Sequence, residues 1–257
     1  MTYYANESYG PDPWHTYDLS TRYGSSDILL VLVHGGGWTQ GDKRAGNFDN
    51  GECVKYISER YGMSVASINY TLATPETPTA PTNVDKKASH RSWHYDPTNA
   101  MNMPSANVLH ASQLLRRKTK ARRVILLGSS AGANIAALTY QFWPIEFEGF
   151  IGFYGVYDLL ANDFSSIVKE RIDIYTGNHF DKLQGGSLMY RSFPESFLLF
   201  HGAEDEHVQL SQSSKMHQRH GGELHVVNGH GHSFNVFGDK DNPAPWMERI
   251  VRYCYVG

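Results

Sequence analysis

Short apolar, β-branched runs alternate with helical patterns along the whole chain, and this rhythm restricts the fold more than any other feature. The runs at 28–33 (ILLVLV), 63–68, 124–127, 150–154, 197–200 and 224–227 read as strands. Most are apolar at nearly every position, as expected when helices cover both faces of a parallel sheet. Between them, patterns at 49–60, 105–118, 131–142, 211–220 and 243–254 predict helices. The last places Asn242 as a cap, Pro243 in the first turn and Trp246, Ile250 and Tyr253 on one apolar stripe. Such alternation predicts a doubly wound α/β architecture with a mostly parallel sheet. Without repeats or a linker, the 257 residues are expected to form one domain. Residues 11–27 are expected to add a short antiparallel hairpin at the sheet's edge.

Two stretches interrupt the rhythm. Residues 75–104 are rich in Thr, Pro and Asn and carry Trp93, His94 and Tyr95. Residues 158–194 hold one amphipathic piece near 165–175, with Phe164, Ile167 and Phe180. Long connections in compact folds are often functional lids, so both are expected to roof a binding site.

Hydrophobic residues make up 40% and charged residues 19% of the chain, a globular composition. The formal net charge is -3 and the longest basic run is Arg116-Arg117-Lys118, which argues against a nucleic acid or an anionic membrane as partner. No run approaches the roughly 20 apolar residues of a membrane span. The N-terminal sequence lacks the basic start and apolar stretch of a secretory signal, so a cytoplasmic location is expected. Cys53 and Cys254 fall in predicted helices with no Cys or His at ligand spacing, and read as two buried thiols.

The strongest local signal is Gly128-Ser129-Ser130-Ala131-Gly132, directly after one strand and opening a helix. This G-x-S-x-G in strand-turn-helix context is the pattern of a nucleophile elbow, whose middle residue is Ser130. The glycines spare the tight turn any collision with its neighbours. A second signal, His34-Gly35-Gly36-Gly37-Trp38, follows the strand 28–33. Backbone N–H groups of Gly36 and Gly37, with that of Ala131, could face a developing oxyanion there. His34 itself reads as structural. After the strand at 197–200 comes HGAEDEHV, in which Glu204, Asp205 and Glu206 all qualify as the acid. After the strand at 224–227 comes Asn228-Gly229-His230-Gly231-His232, in which either histidine qualifies as the base. The H-x-H spacing could also suggest a metal pair, but neither a third ligand nor H-E-x-x-H accompanies it, and no metal or cofactor is expected. All four segments fall at carboxyl ends of predicted parallel strands, which line one crevice in this architecture. The order Ser, then acid, then His is that of α/β-hydrolases among the triad folds.

On these motifs the sequence resembles the α/β-hydrolase esterases around hormone-sensitive lipase, the small feruloyl-esterase-like proteins and the kynurenine formamidases. The matching pieces are HGGGW with Gly41-Asp42-Lys43, Tyr70-Thr71-Leu72-Ala73, GSSAG, Gly155-Val156-Tyr157-Asp158-Leu159, HGAEDEHV and GHGHSF, spread over residues 34–234. The resemblance implies the α/β-hydrolase fold with small lid insertions. It selects Asp205, three residues after the glycine of the HG motif and three before a valine, and it selects His232, which precedes a small residue and then Phe. Ser129 stands where that family commonly carries Asp or His, and the YTLA segment lacks an arginine often found there. The implied activity is hydrolysis of a carboxylic ester of a small or aromatic compound through Ser130, His232 and Asp205. Arylformamidase activity on an N-formyl aromatic amine is the alternative, and a catalytically silent ligand-binding member of the fold is another. Trp38 and Tyr157 are expected to form the pocket walls.

Overall fold

In a computed structural model, which describes residues 1–22, 26–44, 52–81 and 103–256, the apolar runs assemble into an eight-stranded sheet. The strands are β1 (Thr2–Ser8), β2 (Thr16–Thr21), β3 (Ile28–Val33), β4 (Ser64–Ile68), β5 (Arg123–Ser129), β6 (Gly149–Phe153), β7 (Phe197–Gly202) and β8 (Glu223–Val227). Their spatial order is β1-β2-β4-β3-β5-β6-β7-β8. From β4 through β8 every pairing is parallel, whereas β1 pairs with β2, and β2 with β4, in the antiparallel sense.

The helices are α1 (Glu52–Tyr61), α2 (Pro104–Thr119), α3 (Ala131–Phe142), α4 (Ser166–Thr176), α5 (Phe180–Gly185), α6 (Ser211–His220) and α7 (Met247–Val256). They cover both faces. Strand β3 shows why its six residues are all apolar: Leu29, Val31 and Val33 join the cluster under α2 and α3, while Ile28, Leu30 and Leu32 join the one under α1 and α7. A strand wrapped on both sides buries both of its side-chain rows. Cys53 and Cys254 are buried, in α1 and α7. Among the described residues no helix is long and apolar enough to cross a membrane.

Two expectations need correction. The edge hairpin pairs 2–8 with 16–21 and so begins earlier than 11–27; β1 carries no fully buried side chain, hence no apolar period to betray it. The last helix starts at Met247, not near Pro243, because Gly238 and Pro243 form a β-bridge and Ala244 donates its N–H to Phe237 O at 3.0 Å. Those bonds commit 238–244 to a turn.

The chain crosses over after β3, whose neighbours are β4 on one side and β5 on the other. The connections leaving β3 and β5 therefore flank the point where strand order reverses, and in open α/β sheets ligands bind at the carboxyl ends beside such a point.

Candidate active site

The turn after β5 is dictated by close packing. Ser130 adopts φ 53°, ψ -123°, a conformation costly for a residue with a side chain, by about 1–3 kcal/mol. Its N–H donates to Phe153 O at 2.9 Å, which anchors the turn on β6. A Cβ on Gly128 would lie 2.3 Å from Gly132 O, and one on Gly132 would lie 2.2 Å from Val33 O. Only glycine at both positions lets α3 start this close to β3 and β5.

The turn aims Ser130 Oγ at His232 Nε2, 3.0 Å away. On the far side of the ring, Nδ1 lies 2.7 Å from Asp205 Oδ2. An ionised carboxylate can only accept, so Nδ1 carries the hydrogen, and the neutral ring offers its Nε2 lone pair to the serine hydroxyl. Asp205 is buried, and its Oδ1 accepts the N–H groups of His207 and Val208, each at 2.9 Å. Burial pushes the carboxyl pKa up, but hydrogen bonds from His201 and His232, the attraction of His232 when protonated and the Val208 N–H together outweigh it and hold the group well below the usual range.

The other two carboxylates of the loop, Glu204 and Glu206, are exposed. Glu204 Oε1 accepts the Gly229 N–H at 2.9 Å, and Glu204 N–H donates to His230 O at 3.0 Å, so this residue ties the acid loop to the histidine loop. Gly202 permits that contact, since a Cβ there would meet His230 O at 2.2 Å. His230 itself is exposed, its Nδ1 near Asn228 O and its ring edge-on to Phe234 and Trp246. It therefore shares no target with His232.

After β3 the chain runs through the glycine loop. A Cβ on Gly36 (φ 115°) would lie 2.1 Å from Gln40 O, and Gly37 (φ 59°) also has a positive φ. Gly36 O accepts the N–H groups of Thr39 and Gln40, while the N–H groups of Gly36, Gly37 and Ala131 make no hydrogen bond among the described residues. All three residues line one cavity with Ser130 and His232, of about 840 Å³, a size suited to a small molecule. His34 starts the loop from a fully buried position, its ring stacked on Tyr70 at 4.3 Å and its Nδ1 2.7 Å from Gly35 O. Burial pushes its pKa down to about 4, so this ring stays neutral.

Trp38 lines the cavity from within the wall: it is stacked on Tyr175 at 4.7 Å and donates Nε1–H to Asn134 Oδ1 at 3.2 Å. Tyr157 does not line it. Its hydroxyl fills the slot left by Gly152 and Gly155, where a Cβ would lie 2.2 and 2.4 Å from it, and the ring packs edge-on to Phe150 in the core. Tyr154 and Val156 take the wall position instead, with the Tyr154 ring 4.9 Å from that of His232. Of the proposed roof, Ile167, Val168 and Arg171 of α4 line the cavity, whereas Phe164 is buried against Val208 by a β-bridge and Phe180 faces solvent. Trp93, His94 and Tyr95, with most of 75–104, lie outside the described residues.

Sequence reasoning left His201 without a role. It is fully buried at the end of β7, with Nε2 2.8 Å from Val208 O and 3.3 Å from Asp205 Oδ2. A histidine closing an apolar strand, four residues before the acid, was the available signal.

A model of the alpha/beta hydrolase fold family matches residues 30–178, which include the glycine loop and the elbow. The chain belongs to the α/β-hydrolase fold family. A model of the prolyl oligopeptidase family matches residues 106–254, the part holding Ser130, Asp205 and His232. Among solved α/β-hydrolase structures, a carboxyl esterase of the mycorrhizal fungus Tuber melanosporum superposes with a TM-score of 0.66 at 16% identity, over 92% of this chain and 78% of the other. A hormone-sensitive-lipase homologue from a metagenome library gives 0.68 at 17% identity, over 99% and 84%. In sequence, a kynurenine formamidase-like hydrolase of Fusarium equiseti is 29% identical over 158 residues, 55% of this chain; the chain spans about half (50%) of that relative's length.

Proposed function

We propose that this α/β-hydrolase cleaves carboxylic esters of small molecules through an acyl-enzyme. The observation that carries the reading is the unbroken relay of Ser130 Oγ, His232 and Asp205, at 3.0 and 2.7 Å, opening on a cavity walled by unused backbone N–H groups. Ser130 attacks the ester carbonyl as His232 Nε2 takes its proton. The carbonyl oxygen becomes an oxyanion held by N–H groups of Gly36, Gly37 and Ala131. His232 then passes the proton to the departing alcohol, and water, activated by the same ring, releases the acid. Asp205 holds the ring's tautomer and stabilises the imidazolium between these steps. The esterase folds reported above support this choice of carbonyl.

The Fusarium relative favours a second reading, hydrolysis of an N-formyl aromatic amine, which needs the same relay and differs only in the leaving group. Measuring turnover of p-nitrophenyl acetate beside N-formylkynurenine, with fluorophosphonate labelling of Ser130, tests both. Labelling with ester turnover supports the first reading, and formamide turnover at much higher kcat/KM moves the assignment to the second. If Ser130 resists labelling, neither stands.

A further inference from the structure

Helix α4 puts a cation where the proposed chemistry needs none. Ile167, Val168 and Arg171 turn from one face into the cavity, while Ile172 and Tyr175 are buried in the core. The stem of Arg171 lies on the glycine loop: a Cβ on Gly37 would come within 2.8 Å of Arg171 Cγ. Its Nη1–H donates to Thr39 Oγ1 at 2.8 Å, which fixes one edge of the guanidinium of this half-buried residue. Among the described residues no carboxylate lies within ion-pair distance of it. Asp42 is, among the described residues, the one carboxylate lining the cavity, and its oxygens accept the Arg44 N–H at 2.8 Å and Asn69 Nδ2–H at 3.1 Å.

A guanidinium held at a cavity wall with no carboxylate of its own is available to an incoming anion, and its rigid fork matches a carboxylate with two parallel hydrogen bonds. Arg171 lines the same cavity as Ser130, so an anion bound there would sit beside the reacting centre. We infer that Arg171 receives a carboxylate of the substrate, so that the preferred substrates are acidic esters or amides, such as half-esters of dicarboxylic acids or acylated hydroxy- or amino-acids. This rests on the hydrolase reading of the same cavity. It adds a specificity residue supplied by the 158–194 insertion.

The test pairs acids with neutral partners of similar shape: the mono-p-nitrophenyl ester of glutaric acid against p-nitrophenyl valerate, and 4-acetoxybenzoate against phenyl acetate. The first pair places the carboxylate on the acyl side and the second on the leaving side. For at least one pair the protein should prefer the acid by about tenfold or more in kcat/KM, mainly through KM, and 0.5 M salt should erode that preference. Arg171→Gln should lose about tenfold more on that acid than on its neutral partner, with Arg171→Lys between them. Binding of the same acids to Ser130→Ala by calorimetry, with and without Arg171→Gln, reads the contact independently of turnover. Equal losses on acid and neutral ester, or acids that bind Ser130→Ala no better than neutral partners, overturn the inference. Failure of every ester, with weak acids still bound through Arg171, would instead overturn the hydrolase reading alone.

Discussion

His201 Nε2 lies 3.3 Å from Asp205 Oδ2, with both side chains withdrawn from solvent. The same nitrogen is 2.8 Å from Val208 O, and because both neighbours can only accept, it carries the hydrogen. The other ring nitrogen, 2.7 Å from Ser213 Oγ, then accepts the hydroxyl. His201 thus clamps the acid loop on β7 and adds a donor to the oxygen that faces His232. His201→Ala should lower kcat by about 10–100-fold and stability by about 1–3 kcal/mol, since it leaves buried acceptors unpaired. His201→Gln, which keeps a donor, should restore part of both, as steady-state kinetics and urea unfolding will show. Activity lost without stability, and unrescued by Gln, would put His201 in the chemistry instead.

Ser130→Ala and His232→Ala should each reduce kcat by about 10⁴-fold or more, since members of a relay fail together. His230→Ala should retain most activity, because its ring packs on Phe234 and Trp246, away from Ser130. A dead His230→Ala with an active His232→Ala, measured on one ester, would reverse the assignment of the base.

The central strands β3, β5, β6 and β7 were legible because each is buried on both faces and reads as a nearly unbroken apolar run, whereas the edge strand β8 (ELHVV) is only partly buried. The elbow was legible because its glycines meet backbone, not adaptable side chains, so the motif tolerates no substitute. The residues of the loop alone left Glu204, Asp205 and Glu206 open, and the family resemblance picked Asp205; the fold buries that residue and leaves the other two exposed. Tyr157 misled for a related reason. It follows β6 as a wall residue should, but Gly152 and Gly155 open a slot that draws its ring inward, and a missing side chain gives no sign of what fills it. Arg171 left no signal either, because a basic residue on an amphipathic helix ordinarily faces water, as the neighbouring Lys169 does.

Strain at the elbow gives a stability prediction. The φ of 53° at Ser130 penalises any residue with a Cβ, so Ser130→Gly should raise stability by up to about 1 kcal/mol while removing activity. Ser130→Ala should leave the midpoint of thermal unfolding nearly unchanged. Gly132→Ala behaves oppositely: its Cβ would sit 2.2 and 2.3 Å from the carbonyl oxygens of Val33 and His34, and backbone cannot step aside cheaply. We expect little soluble protein from that variant. Thermal scans of the set decide, and a Gly132→Ala protein of wild-type stability would refute the packing argument.

The last prediction is an acid limit set by His34. Its ring is buried, Nδ1–H faces Gly35 O at 2.7 Å, and Nε2 has no partner among the described residues. With the folded pKa pushed down to about 4, the unfolded chain binds a proton to this ring below its ordinary value near 6.5, and the folded chain does not. Stability must then fall as pH drops from about 6.5 to about 4, by an amount on the order of 3 kcal/mol, and this contribution levels off below that window. Asp205 acts lower on the scale: its depressed carboxyl stabilises the fold above the unfolded carboxylate range, and that share is lost only at more acid pH. The two windows can therefore be separated by urea unfolding at pH 7, 5.5 and 4.5. His34→Asn should be less stable at pH 7, through lost stacking on Tyr70, yet show a visibly flatter decline between pH 6.5 and 4. Because His34 leads directly into Gly36 and Gly37, protonation of Nε2 in the folded protein would place an unpaired charge beneath the loop, so this ring should cost activity, reversibly, only near pH 4 and below. Equal slopes for both proteins between pH 6.5 and 4 would mean that the ring is not held neutral.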